Sequence, residues 1–228
     1  DPNTLLDVAN IIDTASEGLF GPEQGNMGRR LQWEPNEIFL NLIDNPKTLG
    51  LVCEQMGAAI QMTWSQALIR PPTPLSGQRW HADGPKPYYF PRIYGEMALM
   101  QLKVGFFLTE IDRPDMGNLC VIPGSHKHGF PKIPRGLDHA LKITSYTEFR
   151  EVEQIDAGVP GARQLMVEPG DAIGIHNGLF HCVVRNTSNV RRKNLYFAYG
   201  PSWQRAGDRV ENPPELLAKC TPVRRQLL

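Results

Sequence analysis

The spacing of apolar side chains changes once along this chain, from helical to extended, and the change falls near residue 57. Before it, Leu5, Val8, Ala9 and Ile12 recur at three- and four-residue intervals behind a capping Thr4 and ahead of Gly18, which predicts a helix over 4–17. A short helical segment covers Glu37 to Ile43. Another starts at Asn45-Pro46, with Asn45 as cap and Pro46 at the first helical position, and carries the stripe Leu49, Val52, Cys53, Met56 up to Gly57. From Ala58 the period is two. Ile60, Met62, Trp64, Gln66 and Leu68 share one face of a strand. Ala98, Met100, Leu102, Val104, Phe106 and Leu108 predict a second, long strand whose opposite face carries Gln101 and Lys103, the lysine directed to solvent. Shorter strands follow at Leu119 to Ile122, Gln164 to Val167 and Ala172 to His176, then a hairpin from His181 to Tyr199 around Thr187-Ser188-Asn189. Alternating strands, hairpin turns and N-terminal helices predict an all-β core with flanking helices, a double-stranded β-helix or cupin-like jelly roll. The expected organisation is one domain over 1–228: helices in 4–57, β-helix core in 58–203, and a tail in 204–228. In that tail a short helix follows Asn212-Pro213-Pro214, and Arg224-Arg225 is exposed.

Composition supports the strand-rich reading. Among 228 residues are 21 glycines and 20 prolines, too many for a helical bundle. The 24 basic and 24 acidic residues balance, so no net charge draws the chain to nucleic acid or to a membrane surface. No apolar run approaches the ~20 residues a spanning helix needs, and no signal-peptide pattern opens the chain, although it begins at Asp1 without a methionine. Cys53, Cys120, Cys182 and Cys220 lack C-x-x-C spacing and read as reduced thiols, which points to a cytoplasmic setting.

The chemistry concentrates in Trp80-His81-Ala82-Asp83-Gly84 and Asn177-Gly178-Leu179-Phe180-His181. Two residues apart on a strand, an imidazole and a carboxylate point to one side, and a distant second imidazole can join them on one face of a metal. Two histidines and a carboxylate with positions left open suit non-haem Fe(II) oxygenases. A lone His-x-Asp, by contrast, is common by chance. Other histidines are of ligand type. His126 and His128 sit in a break beyond a strand end, and His176 is separated from His181 by the Asn177-Gly178 turn. Of the adjacent pair Arg191 and Arg192, only one can face inward.

In this order, with Gly170-Asp171, Gly117-Asn118-Leu119 and Pro123-Gly124-Ser125-His126, the set resembles the phytanoyl-CoA dioxygenase-like (PhyH) family of Fe(II)/2-oxoglutarate-dependent oxygenases, from about Leu49 to Trp203. The resemblance implies His81, Asp83 and His181 as the iron ligands and catalytic set, and Arg192, eleven residues beyond His181, as the grip on the cosubstrate's far carboxylate. It supports Gln66 as a 2-oxoglutarate or substrate contact, where the residue alone is equally well explained by a backbone hydrogen bond. Fe(II), 2-oxoglutarate and O2 are the implied cofactors. The implied reaction is hydroxylation, or another oxidation, of a small organic molecule with release of succinate and CO2; Asp83 favours it over halogenation, whose enzymes lack that carboxylate. In one respect the chain departs from the family pattern: where relatives often carry a hydroxyl two residues after the distal histidine, this chain has Val183. Residues 84–92 are placed as a wall or lid, with Lys86, Tyr88 and Arg92, together with Trp203, as substrate contacts, and 129–162 as a substrate-selective cover. Two other functions fit the same residues: a cupin-like metalloprotein that does not use 2-oxoglutarate, or an inactive jelly roll that only binds a ligand. No nucleic-acid or membrane partner is expected, and the oligomeric state is not written in the sequence.

Overall fold

The computed structural model describes residues 2–16, 27–29, 37–74, 80–83, 98–128, 159, 161–204, 212 and 214–228. Within them eight strands form two antiparallel sheets. The larger runs β1 (Met27–Arg29), β2 (Ile60–Arg70), β8 (Arg192–Pro201), β3 (Leu102–Phe107) and β6 (Ala172–His176), in that spatial order. The smaller runs β5 (Arg163–Gln164), β4 (Leu119–Val121) and β7 (His181–Val183). Helices α1 (Pro2–Ser16), α2 (Glu37–Ile43) and α3 (Pro46–Met56) precede the core, α4 (Ser125–His128) interrupts it, and α5 (Pro214–Ala218) and α6 (Pro222–Leu227) follow. This is the helix-flanked jelly roll that the alternation predicts.

The larger sheet separates two interiors. Its outer face carries Ala67, Ile69, Val104, Phe106, Leu195 and Phe197 against Val8, Ile12, Phe39, Ile43 and Val52 of the helices. Asn45 caps α3 as expected, accepting from the Lys47 backbone N–H at 3.1 Å. Along β8 the alternation places Leu195, Phe197 and Tyr199 under the helices and leaves Arg192, Asn194 and Tyr196 for the inner face.

On β2 the simple alternation fails. The register to β8 shifts between Met62, opposite Tyr199, and Trp64, opposite Ala198, so Thr63 is one residue more than its partner strand has. Ile60 and Met62 therefore pack under the helices, whereas Trp64, Gln66 and Leu68 turn inward to line a cavity. A straight strand would have put all five on one face.

Four other expectations are corrected. β3 begins at Leu102, because the Asn177 side chain takes the Met100 and Gln101 N–H groups that a longer strand would donate to a neighbour. Met27–Arg29, where the periodicity predicts no element, form the edge strand β1, paired to β2. The tail that holds Arg224 and Arg225 is helix α6, which buries Leu227, and Arg224 Nε reaches Asp44 Oδ2 at 2.8 Å. Lys103 points inward, as the site requires. Residues 84–92 and all of 129–162 except 159, 161 and 162 lie outside the described residues, and with them Lys86, Tyr88 and Arg92.

Candidate metal centre

His81 and His181 are brought together by their own backbones. His81 N donates to His181 O and His181 N to His81 O, both at 2.9 Å, an isolated antiparallel bridge that sets the residues directly opposite each other. Side chains of such a pair share a face, and the two rings stand 4.3 Å apart between centroids. Asp83, two residues on, joins that face: His81 Nε2 lies 3.8 Å from Oδ1 and His181 Nε2 3.5 Å from Oδ2. One donor atom from each of the three falls within 4.8 Å of the others. Behind these segments Trp80, Cys120, Phe180 and Cys182 pack in a separate apolar cluster, so Cys182 points away from the site.

Burial and charge prepare the donors. His181 Nδ1 lies 2.9 Å from Leu179 O; donation to that carbonyl leaves the Nε2 lone pair toward Asp83 and His81. Burial pushes the His181 imidazole down to about 4, against the pull of the Asp83 carboxylate, so it is neutral at pH 7. Burial pushes the Asp83 carboxyl up, but Lys103 first, then His181 and His81, outweigh it and hold it well below the usual carboxylate range. A histidine whose folded pKa is depressed contributes stability that is complete above its unfolded value, near 6.5, and is lost as pH falls toward 4. The depressed Asp83 acts in the same direction at still lower pH. Metal-free protein should therefore lose on the order of 3 kcal/mol across that His181 window. Urea unfolding at stepped pH values measures it, and a slope unchanged in His181→Ala would contradict the assignment.

Lys103 is the residue sequence reasoning misplaced. From β3 its Nζ reaches Asp83 Oδ2 at 2.5 Å and lies 4.9 Å from the centre of the Trp64 ring, with 12% of the side chain exposed. The signal was present in the alternation, since Lys103 sits opposite the apolar positions that pack on the helices; a lysine's preference for water argued the other way. In metal-free protein this ammonium is the counter-ion of a partly buried carboxylate. Lys103→Met should lower the melting temperature of the metal-free form by roughly 3–6 °C and of the metal-loaded form by less, so metal addition stabilises the variant more than the parent. Equal shifts with and without metal would refute this role.

The remaining candidates separate clearly. Arg192 takes the inner face and is 1% exposed; Arg191 is exposed and approaches Asp13. Arg192 Nη1 donates to Gly117 O at 2.5 Å, while Nε and Nη2 are buried with no hydrogen-bond partner among the described residues. Opposite it in the β2–β8 register stands a second buried guanidinium, Arg70, whose pKa burial and Arg192 together lower to about 10. Gly117 is backed by Arg70: at φ +74°, a Cβ there would lie 2.8 Å from Arg70 Cγ. Arg192 does not itself line the cavity onto which the His-Asp-His group opens; Tyr196, on the same face of β8, does, with Gln66 and Val183. Trp203 is 72% exposed and lies apart from the cavity lining. His126 and His176 stack on each other at 4.9 Å and do not join the three-donor group. The motifs around 118 and 125 hold backbone in place: Asn118 Nδ2 donates to Leu165 O at 3.0 Å, and Ser125 Oγ accepts from Phe180 N at 2.8 Å.

The donor set fits Fe(II) by its chemistry. Imidazole nitrogen and carboxylate oxygen are ligands that ion accepts, and three protein donors leave positions open. Two buried N–H groups on one guanidinium, with another guanidinium beside it, fit an anion nearby, because unpartnered buried donors are costly. Jelly roll and donor set together define the non-haem metal-dependent oxygenase class. The family model for phytanoyl-CoA dioxygenase (PhyH) matches residues 13–194, and the chain belongs to that family. Its cofactors are Fe(II) and 2-oxoglutarate, with O2, and the protein is an oxygenase-type enzyme dependent on them. No curated protein matches by sequence. Among solved structures the chain is similar to HygX from Streptomyces hygroscopicus with nickel, 2-oxoglutarate and hygromycin B bound, at 17% identity and TM-score 0.65, covering 90% of this chain and 80% of that one. It is similar also to SnoN, the non-haem α-ketoglutarate-dependent epimerase from nogalamycin biosynthesis, at 16% identity and TM-score 0.60, covering 88% and 74%. A third is the nickel complex of the non-haem monooxygenase ThoJ, at 16% identity and TM-score 0.57, covering 88% and 70%. Among the described residues no helix is long and apolar enough to cross a membrane.

Proposed function

We propose that this chain is a 2-oxoglutarate-dependent dioxygenase that hydroxylates, or otherwise oxidises, a small organic molecule. The observation that carries the reading is the meeting of one donor atom each from His81, Asp83 and His181 within 4.8 Å at the wall of a cavity. His81 and His181 offer imidazole nitrogens and Asp83 an ionised oxygen as the ligands of Fe(II). Arg192 holds the far carboxylate of 2-oxoglutarate through the N–H groups left unpartnered in its burial, and Gln66 contacts the cosubstrate or the substrate from the cavity wall. With both bound, iron and 2-oxoglutarate supply oxidation of a C–H bond by O2, with release of succinate and CO2. The protein's part is to orient these groups and exclude water. A small-molecule substrate is supported by the hygromycin B complex of HygX. The same reading takes residues 1–228 as one catalytic domain.

The test has two stages. Anaerobic addition of Fe(II) and 2-oxoglutarate should give the weak visible absorption band of the chelate, and no band refutes the cosubstrate assignment. Succinate formation is then screened against metabolite pools, with the consumed compound read by its mass shift. A product one oxygen heavier supports hydroxylation; loss of two hydrogens identifies desaturation instead.

A further inference from the structure

The ammonium of Lys103 has capacity for more than Asp83. We propose that it binds the anionic group of the substrate, which makes the substrate an organic acid: a carboxylate or phosphate monoester on an apolar body. The proposal rests on the reading of the site as that of a 2-oxoglutarate-dependent dioxygenase, and it assigns the lysine to the substrate and not to the cosubstrate.

Three observations carry it. The first is placement. Lys103 lines the same cavity as His81, Asp83 and His181, and its Nζ stands 4.9 Å from the centre of the Trp64 ring and 5.8 Å from that of Tyr196. Only 12% of its side chain is exposed. Leu68, Leu119, Ile175 and Val183 make much of the remaining wall apolar, which suits a hydrocarbon body beside the metal centre. The second is valence. An ammonium carries three N–H donors, and among the described residues only Asp83 accepts from it, through Oδ2. The third is charge. Asp83 is the only carboxylate among the described residues that line the cavity, and in metal-free protein it balances Lys103. Bound Fe(II) sets two more positive charges against that same carboxylate, and imidazole ligands bring none. Once the guanidinium of Arg192 and the two negative charges of 2-oxoglutarate are added, one positive charge is left in excess, even with Arg70 set aside. Water screens little in a mostly apolar enclosure, so the excess draws a further anion. A neutral substrate leaves the ammonium uncompensated, which is costly.

The experiment loads anaerobic protein with Fe(II) and saturating 2-oxoglutarate and follows its melting temperature against matched pairs of compounds. The pairs are phenylacetate with phenylacetamide, hexanoate with hexanamide, and hexyl phosphate with hexanol. The expected result is that acids stabilise the loaded protein, each acid that binds doing so at least ~10-fold more tightly than its neutral partner. Lys103→Met and Lys103→Gln should both abolish that preference, while their affinities for 2-oxoglutarate, read from the chelate band, stay within about fivefold of the parent. The band also shows that a variant is folded and loaded before any acid is added. Neutral partners that bind as tightly as the acids overturn the proposal, and so does a panel in which no acid binds. A preference that survives in either variant places the anion elsewhere. A far larger loss of 2-oxoglutarate affinity assigns the lysine to the cosubstrate. Either result overturns the proposal too. Absence of the chelate band in the parent is a separate failure: it removes the 2-oxoglutarate reading, and this inference with it.

Discussion

His181→Ala is expected to abolish tight Fe(II) binding and to lower 2-oxoglutarate turnover on the order of 10³-fold or more, with the fold retained. The fold survives because what holds the two ligand strands in register is backbone: both bonds of the 81–181 bridge run between main-chain N–H and C=O groups. The removed imidazole is 4% exposed, so the variant has a small cavity beside Asp83 and no third donor. Two candidate donors remain, His81 and Asp83, too few to hold the ion on one face. Anaerobic titration with Fe(II), followed by succinate analysis under air, measures both effects. Fe(II) affinity within a fewfold of the parent would show that His181 is not a ligand.

Arg192→Met should do something different: abolish cosubstrate binding while leaving the metal-free protein as stable as the parent, or more so. A guanidinium buried to 1% exposure opposite Arg70 is costly to the folded state, and its hydrogen bond to Gly117 O covers one of its nitrogens. Methionine of similar length fills the space without the charge, and replacement of buried charge by apolar volume is often neutral or stabilising. Under the proposed function the charge is kept at an unfavourable place for the sake of an anion, the trade between stability and function that binding sites commonly show. The expected outcome is at least ~100-fold weaker 2-oxoglutarate binding together with an unchanged or raised melting temperature. A variant that melts several degrees lower while still binding 2-oxoglutarate would make Arg192 a structural residue only.

The points where sequence reasoning failed share a cause. Periodicity assumes regular strands, and the extra residue at Thr63 breaks that regularity, so five side chains assigned to one face of β2 divide between two interiors. Propensity assumes that a lysine seeks water; Lys103 is held inside by a carboxylate twenty positions earlier in the chain, which no local pattern announces.

By itself the order of residues determined the helices before residue 57, the strand-rich core after it, and three candidate donors with a basic residue beyond the last. These are local matters: period, capping, and the two-residue spacing that puts His81 and Asp83 on one side of an extended chain. Tertiary structure alone decided which of the neighbouring arginines is buried, where the lysine of β3 points, and which phenol faces the cavity. Those outcomes depend on cross-strand register, and register is set by pairings between segments distant in the chain, such as Arg70 with Arg192 and Lys103 with Ala198.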